Sequence, residues 1–131
     1  MSKISKYYGP AAADEQEVNR LLALTASGRE QDWEIELADP EKLDKMMYLL
    51  ESHQLTEHVK TALCLLMLSS FDAELDSGEV NADRVHRAAD LLRQDAYVLE
   101  RMRFYWLDLQ RANHMDAMKE LLSSNRGNQE Q

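Results

Sequence analysis

Apolar residues recur along most of the chain at intervals of three and four residues, the spacing that places them on one face of an amphipathic helix. The first such face consists of Val18, Leu21, Leu22 and Thr25. Gly28 then follows as a residue suited to a left-handed helix end. The pattern predicts five helices, at about residues 12–27, 40–52, 57–73, 82–94 and 96–123.

The predicted helix starts carry side chains that can accept hydrogen bonds from the first free backbone N–H groups. These N-cap residues are Asp39 (followed by Pro40), Thr56, Asn81 and Asp95. Asp95 also marks a bend, because one unbroken helix over 82–123 would be roughly 60 Å long. A domain of this size has a radius of gyration of only about 14 Å. The last two helices are therefore predicted to be separate.

The third predicted helix is apolar on nearly every side between Ala62 and Leu68, which is typical of a helix buried among others. It contains Cys64, the one cysteine of the chain, which in this setting is expected to behave as a small hydrophobe. The fold class is therefore predicted to be all-α, a single-domain, bundle-like array of about five helices over residues 1–131. Residues 1–11 and 124–131 are expected to be flexible ends.

Residues 33–37, Trp-Glu-Ile-Glu-Leu, depart from the helical pattern because apolar and acidic residues alternate strictly. A period of two favours a short extended segment. Two interpretations remain open. The segment could be a loop that holds Trp33, Ile35 and Leu37 against the helices, which we favour, or an exposed edge that a partner strand extends.

Acidic residues dominate the charge, with 24 Asp and Glu against 15 Lys and Arg and a net charge of −9. The excess lies entirely in two stretches, residues 29–52 and 72–90, with balances of −5 and −4. The simpler interpretation is that these acids solvate loops and cap helix starts. The alternative is an acidic recognition surface for a basic protein, since nucleic acid and anionic membranes would be repelled.

No arrangement typical of catalysis or metal binding is present in the sequence. The four histidines are not spaced for a shared zinc ion, the glycines are isolated, and no nucleophile elbow occurs. The segment starting at Asp72 resembles a calcium loop only superficially, because Gly78 and Asp83 fall at the wrong positions. We therefore expect no enzyme activity, no cofactor and no metal site. A catalytic site built from scattered carboxylates is the weakest alternative.

The residues expected to contact a partner are those of the two acidic stretches together with one aromatic residue that could anchor an interface. They are Glu30, Asp32, Trp33, Glu34, Glu36, Asp39, Asp72, Glu74, Asp76, Glu79 and Asp83. A second tryptophan, Trp106, is expected on the flank of the core, with an exposed anchor as the alternative.

The leading functional hypothesis is a non-catalytic, protein-binding domain, most concretely a bacterial immunity or antitoxin-type inhibitor that neutralises a basic toxin. Toxins that act on nucleic acid have a basic active-site cleft. An acidic surface on the inhibitor would compete with the phosphate groups of the nucleic acid for that cleft and would speed association of the two proteins. The main alternative is a helical adaptor or effector chaperone that binds an amphipathic segment in an apolar groove, often as a homodimer. The lone cysteine and the lack of an apolar signal segment favour a cytoplasmic location.

Overall fold

The computed structural model describes residues 11–78 and 80–123, and the backbone in these ranges forms helices and loops without strands. The all-α prediction is therefore confirmed. The helices of the described ranges are α1 (Ala12–Leu22), α2 (Trp33–Glu36), α3 (Leu43–Ser52), α4 (Glu57–Leu75), α5 (Ala82–Arg93), α6 (Ala96–Arg103) and α7 (Met115–Leu121). A 3₁₀ turn, Pro40–Lys42, precedes α3, and a π-helix, Phe104–Asp108, follows α6.

Helix α4 lies at the centre of the fold, with every residue from Thr61 to Asp72 buried. It packs against α1, α2, α3 and α6, while α5 packs against α3, α6 and α7. Cys64 is buried in this core, as its apolar neighbours predict. Trp106, expected on the core flank, is fully buried. None of the helices in the described part of the chain is long and apolar enough to cross a membrane.

The predicted N-caps are confirmed by direct hydrogen bonds. Thr56 accepts from the backbone N–H of Val59 at 3.2 Å, and Asn81 accepts from that of Arg84 at 3.0 Å. Asp95 accepts in the same way at the start of α6, and Asp39 does so at the 3₁₀ turn. Helix starts were predictable because a cap needs only residues within three positions of it.

The prediction of an extended segment at residues 33–37 is wrong, because the chain forms the single helical turn α2 there. Trp33 and Glu34 face inward, whereas Ile35 and Glu36 face solvent. The Glu36 carboxylate accepts hydrogen bonds from the N–H groups of Gln31 and Asp32 at 3.0 and 3.1 Å. This contact satisfies backbone donors at the start of the turn, which favours the helical conformation over the extended one.

The first and last predicted helices are shorter than the pattern indicated. Helix α1 ends at Leu22 because Ala23 takes the left-handed conformation (φ 56°), so Gly28 lies in the following loop. The stretch 96–123 is divided among α6, the π-helix, a loop and α7. Gln110 in that loop is also left-handed (φ 57°). Apolar spacing alone did not reveal either break, because both loops carry side chains that pack on the core.

The predicted flexible ends, residues 1–11 and 124–131, lie outside the described residues apart from Ala11, which immediately precedes α1.

Candidate acidic protein-binding site

The first acidic stretch joins the start of α1 to form a three-dimensional group that we name the α1–α2 acidic cluster. Its members are Asp14, Glu15, Glu30, Asp32 and Glu34. Helices α1 and α2 both pack on α4. They are also linked directly, because the indole N–H of Trp33 donates to the Asn19 side-chain oxygen at 3.0 Å. Carboxylates more than 15 positions apart in the sequence are thereby brought to one side of the fold.

Glu30 is held in the loop between α1 and α2 by a set of hydrogen bonds to its carboxylate. Its oxygens accept from the backbone N–H and hydroxyl of Ser27, at 2.7 and 3.0 Å, and from the N–H of Gly28 at 3.2 Å. These hydrogen bonds, led by the one from the Ser27 backbone, lower the pKa of Glu30. The charge of Glu30 is therefore retained and fixed in position.

The pKa of Glu15 indicates the electrostatic character of the cluster. Partial burial raises its pKa, and the negative charges of Glu34, Glu30 and Asp14 raise it further. A like charge nearby disfavours the ionised form of a carboxyl group. The direction of the shift therefore indicates a local excess of negative charge contributed by three separate segments.

Glu34 forms the inner part of the cluster and is only 5% exposed. Its carboxylate accepts a hydrogen bond from the hydroxyl of Tyr105, on the π-helix. Burial, followed by the neighbouring Glu34, raises the pKa of Tyr105 well above its ordinary value, so this hydroxyl remains a donor at neutral pH. The hydrogen bond gives the buried carboxylate a partner, as a buried charge requires.

Arg111 is the cation that pairs with the cluster. One guanidinium nitrogen lies 3.4 Å from a carboxylate oxygen of Asp32 and 3.8 Å from one of Glu34. The guanidinium carbon also lies 4.8 Å from the centre of the Tyr105 ring, within the range of a cation–π contact. Among the described residues, Arg111 reaches two of the five carboxylates, so the cluster retains an excess of negative charge.

Acidic residues of the second stretch form hydrogen bonds that connect parts of the fold. Asp72, only 3% exposed, accepts hydrogen bonds from the N–H groups of Asn113 and His114 at 2.9 and 3.0 Å. Its neighbour Asp76 accepts from the His114 ring at 2.8 Å. These contacts hold the start of α7 against the end of α4. Asp72 therefore does not present its carboxylate to a partner.

Arg84 joins the two acidic stretches on another side of the fold. Its guanidinium contacts Glu74 at 3.0 Å and Asp44 at 3.2 Å, which links α5 to α4 and α3. Asp83 is exposed in the first turn of α5. Glu79, also predicted to contact a partner, lies outside the described residues. Among the described site residues of this stretch, Asp72, Glu74 and Asp76 are therefore engaged in contacts within the fold, while Asp83 is exposed.

Three predicted contact residues of the first stretch have local structural roles. Trp33 is 3% exposed and packs inside, so it cannot act as an exposed anchor. Glu36 caps the turn of α2, as described above. Asp39 accepts from the N–H of Glu41 at 3.0 Å, and its own N–H donates to the Ser70 hydroxyl at 2.9 Å. The surface available to a partner is therefore narrower than the sequence indicated.

Sequence reasoning missed Asp14, Glu15, Tyr105 and Arg111 as parts of this site. The two acids belong to a stretch with no excess charge, and the other two lie about 70 or more positions from Glu34 in the sequence. No local pattern marks such a long-range contact.

A separate cavity of about 120 Å³ lies where α3, α4, α5 and α6 meet. Its lining comprises Leu50, Lys60, Cys64, Leu91, Leu92, Gln94, Asp95 and Val98. Lys60 and Asp95 form an ion pair at 3.0 Å. Burial raises the pKa of the Cys64 thiol to about 12, which keeps it protonated and a poor nucleophile. Within the described ranges, no three His, Cys, Asp or Glu side chains are grouped so as to hold a metal ion.

No family model, curated protein or solved structure shows significant similarity to this chain.

Proposed function

We propose that this protein is a non-catalytic binding domain whose α1–α2 acidic cluster attaches to a basic protein and blocks it. The most concrete form of this proposal is an immunity or antitoxin-type inhibitor of a basic toxin. The observation that carries it is the gathering of carboxylates from α1, the following loop and α2, of which Arg111 reaches only Asp32 and Glu34. The net charge of −9 adds long-range attraction for a cationic partner.

The cluster is suited to recognition because its charges are positioned before any partner arrives. Glu30 is fixed by three hydrogen bonds and Glu34 by Tyr105, while Asp32 remains exposed, with 60% of its side-chain surface accessible. Charges fixed in advance lose little side-chain entropy on binding. Complementary charges also speed the first encounter, and this effect weakens as salt increases.

The binding test uses a fluorescent hexapeptide of alternating arginine and lysine and a triple variant of the cluster, Asp14→Asn, Glu15→Gln and Asp32→Asn. We expect its association rate at low salt to fall by about threefold to tenfold. The control is Glu100→Gln, Asp116→Asn and Glu120→Gln, which removes the same charge from exposed positions of α6 and α7. Equal losses in the two triple variants would show that the cluster has no special role.

The inhibitory role is tested with the physiological partner. Crosslinking in the native cell, followed by identification of the captured protein, should yield a basic protein. The purified full chain should then inhibit that protein's activity, and the cluster variant should inhibit it less than the control variant does. An acidic partner, or a partner whose activity the bound chain leaves unchanged, would contradict the proposal.

The cavity beside Lys60 and Asp95 favours the adaptor as a second candidate function. Its apolar side, which includes Leu50 and Leu91, could receive one apolar side chain of an amphipathic partner segment. Binding there would tolerate salt and would weaken when Leu91→Asn makes the cavity lining polar. Unchanged affinity of Leu91→Asn for the captured partner would exclude this mode.

A further inference from the structure

The contacts of Arg111 show which chemical group the inner part of the acidic cluster accommodates. The guanidinium lies over the face of Tyr105, and one of its nitrogens lies within 4 Å of carboxylate oxygens of both Asp32 and Glu34. An aromatic face combined with carboxylates matches the flat, delocalised cation of arginine better than the compact ammonium of lysine.

We propose that Arg111 is an internal stand-in for an arginine side chain of the basic partner, and that binding replaces Arg111 with the partner's guanidinium over Tyr105. This inference rests on the proposed function and names its ligand chemistry. It also assigns a regulatory role, because Arg111 competes with the partner for the same two carboxylates.

Arg111 is held loosely enough to be replaced. Its contacts of 3.4 and 3.8 Å are longer than the 2.7–2.9 Å expected of a strong charge-assisted hydrogen bond. Arg87, by contrast, binds both oxygens of Glu51 at 2.7 and 2.8 Å. The Arg111 side chain is also 38% exposed. The pair with Asp32, whose side chain is 60% exposed, is a solvent-exposed pair and shifts an equilibrium by at most about fivefold.

The backbone around Arg111 allows its side chain to leave without disturbing the core. The Arg111 N–H donates to the carbonyl oxygen of Trp106 at 3.2 Å, and this bond does not involve the side chain. Asp72 independently fixes the loop two residues further on, at Asn113. Rotation of the Arg111 side chain therefore ends its contacts with Asp32, Glu34 and the Tyr105 ring and leaves both backbone hydrogen bonds in place.

The main test measures the affinity of the full chain for hexaarginine and hexalysine peptides before and after Arg111→Gln. We expect this variant to bind hexaarginine about two- to fivefold more tightly, with a smaller gain for hexalysine. The matched control is Arg29→Gln, which removes the same charge from an exposed loop position beside the cluster. Thermal unfolding of both variants checks that the fold is retained.

A second measurement follows Arg111 itself. In the unaltered chain, the NMR signal of the Arg111 side-chain N–H should be shifted by the Tyr105 ring and should lose that shift when hexaarginine is added. In Tyr105→Leu, which removes the ring, the preference for hexaarginine over hexalysine should disappear.

The outcomes separate this inference from the proposed function. Equal gains for Arg111→Gln and Arg29→Gln, or an Arg111 signal unchanged by bound peptide, would overturn the stand-in role. Binding that still depended on Asp14, Glu15 and Asp32 would leave the proposed function intact. If neither peptide binds at low salt, or if the cluster and control triple variants bind equally, both proposals are wrong.

Discussion

Tyr105 donates its hydroxyl hydrogen to the carboxylate of Glu34, a residue that lies 71 positions earlier in the chain. The bond connects the π-helix to α2 and leaves Glu34 nearly buried yet partnered. The same ring supports the Arg111 guanidinium on its face. The Tyr105 side chain therefore donates a hydrogen bond to the inner carboxylate of the acidic cluster and also presents its aromatic face to a cation.

Replacing Tyr105 with Phe should destabilise the fold, because it removes the donor to a buried carboxylate and keeps the ring. The expected loss is about 1–3 kcal/mol in the free energy of unfolding, measured by urea denaturation at neutral pH. The double variant with Glu34→Gln should lose less than the sum of the two single changes. Strict additivity would show that the hydrogen bond contributes nothing to stability.

The raised pKa of Tyr105 also predicts how the stability of the fold changes at alkaline pH. In the folded protein the phenol stays protonated above pH 10, its ordinary pKa, whereas in the unfolded chain it ionises there. Its contribution to stability is therefore complete below pH 10 and is lost as pH rises toward the folded-state pKa. Unfolding followed from pH 9 to 11 should show a steeper decline for the unaltered chain than for Tyr105→Phe. Parallel declines would contradict the assignment.

Asp72 allows a test of whether the hydrogen bonds to a buried carboxylate stabilise the fold. Asp72→Ala leaves the N–H groups of Asn113 and His114 without their acceptor, so a loss of about 3 kcal/mol is expected. Hydrogen exchange at those two amides should accelerate most. Asp83→Ala, at an exposed position of α5, is the control and should change stability by less than about 0.5 kcal/mol. Similar effects of the two substitutions would mean that Asp72 is not a brace.

Features that depend on nearby residues could be predicted from the sequence. The caps at Thr56, Asn81 and Asp95 require an acceptor within three positions, and the central burial of α4 follows from an apolar run that leaves no polar face. The same reasoning failed at residues 33–37, because a four-residue turn is too short for its period to separate helix from strand. There, the Glu36 carboxylate accepts hydrogen bonds from the N–H groups of Gln31 and Asp32, a contact that the alternating pattern did not reveal.

The candidate site was predictable only in part, because charge along the chain does not show which charges meet in space. The stretch at 29–52 was recognised, and Glu30, Asp32 and Glu34 do lie in the cluster. In the stretch at 72–90, by contrast, Asp72 and Glu74 are occupied by contacts inside the fold. The two acidic stretches therefore differ in how their carboxylates are paired in the folded protein, which composition cannot reveal.

Cys64 should be nearly inert toward thiol reagents in the folded protein. Burial raises its pKa to about 12, so little thiolate exists at pH 8. Labelling by a large, charged disulfide reagent should be slow in buffer and fast in urea. A chain with Cys64→Ala and Ser77→Cys, which moves the thiol to an exposed turn, serves as the control and should react at once. Rapid labelling of both proteins in buffer would show that the cavity opens readily.

Glu15 gives the most direct measure of negative charge in the acidic cluster. Its pKa is raised in the folded protein, so the protonated form stabilises the fold below pH 4.5 and this contribution is lost as pH rises through the folded-state pKa. At pH 7 the ionised Glu15 therefore opposes folding. Glu15→Gln should stabilise the protein by ~0.5 kcal/mol or less, since solvent still screens this partly buried group. The difference should vanish as the pH falls below 4.5.

The neighbouring Glu17 supplies the control for Glu15, because it lies on the same helix and has the opposite electrostatic setting. Its hydrogen bond with Arg20 lowers its pKa, so Glu17→Gln should weaken the fold slightly at pH 7. Urea denaturation of both variants at pH 7 and pH 4 gives the comparison. If Glu15→Gln and Glu17→Gln shift the unfolding midpoint in the same direction at pH 7, the carboxylates gathered around Glu15 do not generate an excess of negative charge. The acidic cluster would then lose its electrostatic basis as a binding surface.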